Sequence, residues 1–362
     1  MMKNILAAAV MLCFGLPLFS QQTKILTAEK HNEYGLLYTL PVTALEVEVT
    51  AVREVRTAGP YYRYAKKYVG TDKVIKENNE SWTITSVSVR PYGIPNPDKR
   101  YLMQLKAGAL TYIGVDADNM ILSINREPQT PAAPAPLPAS VMEGEKLADN
   151  EYLQYVDEDF IASQSSAKQA QMLAENLMEI RDAKVSLTRG TADNMPADGK
   201  QLELMLNSLA HQEKALTAAF LGNVTRETVT RRFTYVPAGN SRNVLFRLSD
   251  FDGFVGAEDY SGEPVYISIH ITDEGSLPVD AKGEEKKMPK DAVAYCVPGA
   301  AKTTISYMGR ELFSGEFEMA QFGVVFGLNP SIFTDKKAPS FAVFDPTTGA
   351  LKEIGVMKDN AE

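Results

Sequence analysis

Polar and apolar residues alternate along most of this chain, and only its middle third carries a helical period. Leu45, Val47, Val49 and Ala51 are apolar while Glu46, Glu48 and Thr50 between them are polar, the pattern of a strand with one face buried. Trp82-Thr83-Ile84-Thr85-Ser86-Val87-Ser88-Val89 is a second strand. Its apolar positions change parity between Ile84 and Val87, which predicts a β-bulge there. Tyr101 to Leu105 and Leu110 to Val115 read as further strands. Asp116-Ala117-Asp118-Asn119 is turn chemistry, and Met120 to Ile124 returns as a strand, which makes a hairpin.

Residues 128–138 contain prolines at 128, 131, 134, 136 and 138. Proline lacks the N–H that a ladder needs and favours an extended backbone. At about 3.1 Å per residue these eleven residues span roughly 34 Å, so the segment reads as an exposed linker or surface strap. Residues 141–150 continue it with charge.

The period then changes. Leu173, Leu177, Ile180, Ala183 and Leu187 recur at spacings of three and four, as do Leu202, Met205, Leu209, Leu216 and Phe220. Asp157, Glu158 and Asp159 precede the first helical turns and Arg189 falls in a last one, which suits the helix dipole. Gly190 is a stop, and Asp198-Gly199-Lys200-Gln201 resembles a capping box. The short connection 191–197 predicts an antiparallel helical hairpin.

Residues 223–356 return to strands, at 233–236, 244–248, 265–272, 293–297, 303–308, 323–328, 341–344 and 350–354. The charged stretch 280–291 between them is expected to be a loop. Phe344-Asp345 through Leu351 faintly echoes Val115-Asp116 through Leu122, with Asp at a strand end and Leu six residues on. The expected fold is α+β: mainly antiparallel β, in sandwich-like modules, with a central antiparallel helical hairpin. The expected divisions are a signal peptide at 1–20, an N-terminal β domain at 21–127, a Pro/Ala-rich linker at 128–150, the helical hairpin at 151–222 and a C-terminal β domain at 223–362.

Composition narrows the setting. Lys3 followed by the apolar run Ile5 to Phe19 has the form of a secretory signal, with cleavage expected after Ser20. Cys13 lies within that run, behind Leu12, where a lipoprotein signal would need a small residue. No later stretch holds eighteen uninterrupted apolar residues, so no transmembrane segment is expected after cleavage. Cys296 is then the one cysteine left, and no internal disulfide can form. The net charge of -9 argues against nucleic acid as a partner. The expected location is the periplasm, the outer membrane surface or the exterior.

Catalytic chemistry is hard to find. The histidines are His31, His211 and His270. His211 sits two residues from Glu213 on a helix. His270 shares a strand face with Tyr266 and Ser268, opposite Val265, Ile267, Ile269 and Ile271. There is no Gly-x-Ser-x-Gly elbow, no His-Glu-x-x-His zinc motif, no Gly-Lys phosphate loop and no dinucleotide fingerprint. Cys296 lies in an apolar strand, where a thiol stays protonated and inert. Asp193, Asn194 and Asp198 cluster oxygens, but Asp198 is accounted for as a cap, as Asp116, Asp118 and Asn119 are by their turn. No metal and no cofactor is expected. The best candidate for ligand binding is Gly59-Pro60-Tyr61-Tyr62-Arg63-Tyr64-Ala65-Lys66-Lys67-Tyr68. On a helix Tyr61, Tyr64 and Tyr68 share one face. Together with Arg63, Lys66 and Lys67 they could hold a glycan or an anionic polymer. The alternative is that the tyrosines pack inward while the cations reach water.

Several stretches together resemble the DUF4831 family of exported Bacteroidota proteins. They are Tyr34-Gly35 with Tyr38 and Pro41, the Gly59–Tyr68 segment, Glu179-Ile180-Arg181, Asp193-Asn194-Met195-Pro196-Ala197-Asp198-Gly199, and Phe322-Gly323-Val324-Val325. The resemblance implies export and carries no activity or catalytic residue. Two functions stand against each other. One is a non-catalytic envelope protein that binds a partner protein or surface polymer. The other is a hydrolase of cell-wall or glycan substrates working through a carboxylate pair. The scarcity of histidine and the absence of a catalytic motif favour the first. An outer-membrane barrel is a weaker third, opposed by the helical hairpin and the polar end Asn360-Ala361-Glu362.

Overall fold

A computed structural model describes residues 35–104, 112–128, 134–289, 291–335 and 338–357. The expected signal peptide, with Cys13, lies outside the described residues, as do His31, Tyr34 and the stretch 105–111.

The first sheet is built on two long strands, β1 (Gly35–Thr57) and β2 (Asn79–Gln104). They pair antiparallel from Gly35↔Gln104 to Arg56↔Asn79. The sequence suggests separate strands at 82–89 and 101–105, but β2 runs through both. Pro91, Pro95 and Pro97 are tolerated because β2 is an outer strand of its sheet, where a missing N–H breaks no second ladder. The predicted bulge is present. Thr50 pairs with Ser86 and Ala51 with Ile84, so Thr85 is the extra residue, and its hydroxyl donates to the Thr50 carbonyl at 3.1 Å.

The remaining strands are β3 (Ile113–Val115), β4 (Ile121–Ile124), β5 (Val141–Glu143), β6 (Asn223–Tyr235), β7 (Ser241–Ser249), β8 (Gly253–Val255), β9 (Glu263–Asp273), β10 (Val293–Tyr307), β11 (Arg310–Leu328), β12 (Ser340–Phe344) and β13 (Leu351–Val356). The first sheet has the order β2-β1-β6-β5, the second β11-β10-β9-β7-β8 and the third β13-β12-β4-β3. Strands of 21–127 and of 223–362 are therefore interleaved in the first and third sheets.

The first two sheets pack face to face as a sandwich. Leu45, Val47 and Val49 of β1 meet Phe246, Leu248, Val265, Ile267, Ile269, Ala301, Ile305 and Met319 in one buried cluster. The polar residues alternating with them on β1 face outward, where Glu46 pairs with Arg90 at 3.2 Å and Glu48 with Arg232 at 3.0 Å. On β9, Val265, Ile267 and Ile269 are buried and His270 is exposed, as the alternation predicts.

The far ends of β1, β2, β10 and β11 enclose a second core with the third sheet, around Tyr38, Leu40, Ile121, Ile124, Cys296, Phe326 and Phe344. The Tyr38 hydroxyl accepts from the Ala294 N–H at 2.7 Å and ties β1 to β10. The echo between 115–122 and 344–351 is a pair of aspartate-bound turns. Asp116 accepts from the N–H groups of Asp118 and Met120 at 2.9 and 2.8 Å, and Asp345 from those of Thr347 and Thr348 at 2.8 and 3.1 Å. The two hairpins meet in the third sheet, where β12 pairs with β4.

β10 and β11 change register between Val297 and Gly299. Their backbones approach there so closely that a Cβ on Gly323 would lie 1.9 Å from the Val297 carbonyl oxygen. Gly323→Ala is therefore expected to cost about 1–3 kcal/mol or more, because only backbone movement relieves the clash. A chemical-denaturation midpoint unchanged from wild type would show that the strands separate more readily than this packing allows.

The helices are α1 (Ala65–Tyr68), α2 (Glu158–Ala162), α3 (Ser166–Arg189) and α4 (Gly199–Leu221). Asp198 caps α4, accepting from the Gln201 N–H at 2.8 Å, and Gly190 ends α3 in the left-handed region at φ 70°. α3 and α4 form the predicted hairpin and share a third core with Tyr61, Ala65 and Phe160. The hairpin is buried unevenly. Leu173, Leu177, Leu187, Leu216 and Phe220 are inside, whereas Ala183 is exposed, Leu202 and Leu209 are only half-buried, and Met205 is 39% exposed. The predicted stripe on α4 is thus fully buried only along its C-terminal half. No described helix is long and apolar enough to cross a membrane.

Candidate functional site

The Tyr-rich segment is placed by the last turn of α4. A Cβ on Gly59 would come within 2.5 Å of the Ala219 carbonyl oxygen, so only glycine lets the chain lie this close. Two residues on, the Tyr61 N–H donates to that carbonyl at 2.9 Å. This contact turns Tyr61 inward. Its ring meets Tyr152 and Phe160 edge-on, with centroids at 5.9 and 6.2 Å, and its hydroxyl donates to Gln169 at 3.2 Å. Burial raises its pKa above the ordinary phenol value.

Tyr61, Tyr64 and Tyr68 do share one face, and that face is turned to the helices. Tyr61 belongs to the third core, and Tyr64 and Tyr68 pack against it. Tyr64 is half-buried, with its hydroxyl 3.1 Å from that of Ser166. Tyr68 is half-buried beside Phe220, at 6.4 Å between centroids. The cations point to water. Arg63 lies 5.7 Å from the Tyr62 ring, and the Lys67 ammonium lies 4.7 Å from the Tyr68 ring and donates to its hydroxyl at 3.1 Å. Lys66 is exposed.

Of the six residues singled out from the sequence, Lys67 and Tyr68 line an open groove. Its other walls come from α3: Gln171, Ala174, Glu175, Met178 and Glu179. The volume is about 650 Å³. Gln171 donates to Glu175 at 2.9 Å, which holds the carboxylate on the groove side of the helix. Met178 is 43% exposed and gives the floor an apolar patch. The groove thus combines an aromatic edge, an amide, a cation and two carboxylates around a short apolar strip. That combination suits a polar ligand with apolar faces, such as a saccharide. Nothing in the sequence joins α3 to Lys67 and Tyr68. The one local sign is the spacing of Gln171, Glu175 and Glu179, one helical turn apart.

The other chemistry-bearing residues lie elsewhere. Cys296 is fully buried and its thiol is pushed up to about 11 by burial, consistent with an inert side chain. Glu213 does not serve His211. It accepts from Arg181 at 2.8 Å and from Lys184 at 2.7 Å, and these cations hold its carboxyl below the ordinary range. His211 instead faces Glu145 and Glu151. Among the described residues no group of His, Cys, Asp or Glu is arranged to hold a metal ion.

A family model described as a domain of unknown function, DUF4831, matches residues 34–352. No curated protein and no solved structure matches the chain.

Proposed function

We propose, for a chain that belongs to the DUF4831 family, a non-catalytic binding role in the cell envelope, reached by export through the signal at residues 1–20. The groove between α1 and α3 carries this reading, with a saccharide-bearing surface polymer as its ligand. Tyr68 offers a ring edge, Met178 an apolar floor, and Glu175 and Glu179 accept from hydroxyl groups. The hydrolase reading is less well supported. The carboxyl groups of Glu54, Glu145 and Glu213 all move downward, each drawn first by a hydrogen bond from a cationic partner. A general acid for glycoside cleavage needs the opposite shift, so these three carboxyl groups are unsuited to that role.

Retention on insoluble cell-wall material tests the proposal. Wild-type protein should be retained, and Lys67→Ala combined with Glu179→Ala should weaken retention about tenfold, corresponding to about 1.4 kcal/mol. Lys67 is exposed, so its replacement should leave the melting midpoint nearly unchanged. Salt should weaken the Lys67 contribution, since exposed charges are screened over about 8 Å at physiological ionic strength. A wild type that passes through unretained, or a folded double variant retained as well as wild type, would remove the groove from consideration.

A further inference from the structure

Residues 134–151 cross from the edge of the sandwich to the helical hairpin. The Ala135 carbonyl accepts from Arg232 at 2.8 Å. Val141, Met142 and Glu143 then pair with Thr228, Glu227 and Arg226, which covers part of the outer edge of β6. Gly144 turns in the left-handed region, at φ 84°, against Val224. The Glu145 carbonyl next accepts from Asn223 at 3.0 Å. Almost nothing in this strap is buried. From 134 to 150 every residue is exposed except the half-buried Leu147. Apolar burial therefore contributes little to holding it, and polar contacts must do so.

Beyond the β6 ladder, the strap meets a titratable side chain, His211 on α4. One ring nitrogen meets the Glu145 carboxylate and the other meets Glu151, so both ends of a single imidazole are bound to the strap. An ionised carboxylate only accepts hydrogen bonds, so with Glu145 and Glu151 both ionised the two contacts call for a proton on each ring nitrogen, the imidazolium form. Lys214 reaches the second Glu145 oxygen at 3.2 Å, and the Tyr155 ring stands nearly perpendicular to the imidazole with centroids 6.3 Å apart. Two cations and two carboxylates thus balance. The second Glu151 oxygen accepts from the Ala148 N–H at 2.6 Å, which closes the strap's own turn on the same carboxylate.

We propose that His211 is a pH-sensitive latch: its imidazolium fastens the strap 134–151 over the β6 edge, and loss of one ring proton releases it. A neutral ring has one donor, so one carboxylate then faces a lone pair and the cluster carries an uncompensated negative charge. Release leaves the β6 edge with unpaired N–H and C=O groups, the template that a further strand can pair with.

The direction in pH follows from the same contacts. The hydrogen bonds to Glu145, then to Glu151, raise the His211 pKa above its ordinary value of 6.5. The latch is therefore complete below about pH 6.5 and is lost as pH rises through the raised value. On the acid side, His211 first, and then Lys214, hold the Glu145 carboxyl below its ordinary value of 4.5. Its contribution is present above that value and fails only as pH falls through the lowered one.

Hydrogen–deuterium exchange of the full chain, corrected for the intrinsic pH dependence of amide exchange, tests the latch. Between pH 6 and pH 9 the wild-type strap should lose protection about tenfold, the factor that one unit of pKa coupling supplies. The buried strands should not change. His211→Gln should exchange at pH 6 as the wild type does at pH 9, with no further pH dependence. An NMR titration of the His211 ring in the wild type gives a second readout, independent of any variant's folding. Strap protection that stays flat from pH 6 to pH 9, a His211→Gln strap as protected as wild type at pH 6, or a His211 ring titrating at or below 6.5, would each overturn the proposal.

Discussion

Phe246→Ala should destabilise the fold by about 3–5 kcal/mol, read as a shift of the denaturation midpoint at constant slope. Phe246 is 1% exposed and lies on β7, facing the first sheet. Its ring stacks on Phe233 of β6 with centroids 4.4 Å apart and planes within 5°, and Phe254 of β8 closes one side at 5.3 Å. The contact therefore crosses the sandwich between strands of opposite sheets. Alanine would leave a cavity between two hydrogen-bonded layers. A sheet cannot move one residue inward without moving its ladder, so little of that cavity can collapse. His270→Ala serves as the control. It lies on the outer face of β9 and is exposed, so its loss should stay within about 0.5 kcal/mol. Similar losses at the two positions would mean that the inner and outer faces of the second sheet are exchanged.

Where one face of an element is buried, the pattern of side chains shows it. The alternation of residues 45–51, the parity change between Ile84 and Val87 and the helical stripe through Leu173 and Leu177 all correspond to observed elements. The caps at Asp198 and Gly190 do so for the same reason, since a cap is a local hydrogen bond or a local φ. Partners distant in the chain leave no such mark. β1 pairs with β6 through backbone groups that every residue has, so Leu45↔Tyr235 is invisible in the sequence. The first half of β11 alternates Phe313, Gly315, Phe317 and Met319 with Ser314, Glu316 and Glu318, but a glycine among the inward positions and charges on the outward face weaken the signal, although Phe313 and Phe317 do pack on the sandwich core. The same holds for the sites. Lys67 and Tyr68 are visible as a cluster of cations and rings, but Gln171, Glu175 and Glu179 join them only through the packing of α1 on α3. His211 draws attention as a lone histidine near Glu213, while its actual partners, Glu145 and Glu151, come from the strap.

The residues that carry the family resemblance are largely ones that hold this fold. Tyr38 ties β1 to β10, Gly59 admits the close approach to α4, Tyr61 fills the third core, Asp198 caps α4 and Gly323 permits the register change beside Val297. Their chemistry is accounted for by these contacts. A binding role therefore rests on neighbours of the motif that face water, Lys67 foremost, and not on the motif's tyrosines as a group.

Leu177→Ala should cost about 2–5 kcal/mol. Leu177 has no exposed surface and sits in the third core, where Leu173, Leu216 and Phe220 are also fully buried. Ala170, Ala174 and Ala219 of the same core are too short to reach into the space that Leu177 would leave. Lys200→Ala, in the exposed first turn of α4, should cost under about 0.5 kcal/mol. Leu204→Ala makes the sharper comparison. It removes the same side chain from the same hairpin, but Leu204 is 63% exposed, so the loss should be close to that of lysine and not to that of Leu177. Equal losses at Leu177 and Leu204 would mean that the buried stripe is misassigned. The pair also bears on the groove. Leu177 is flanked along α3 by Met178, which lines the groove, whereas Phe246 belongs to the separate sandwich core. At matched fractions folded, Leu177→Ala should therefore disturb retention on cell-wall material, while Phe246→Ala should leave it intact.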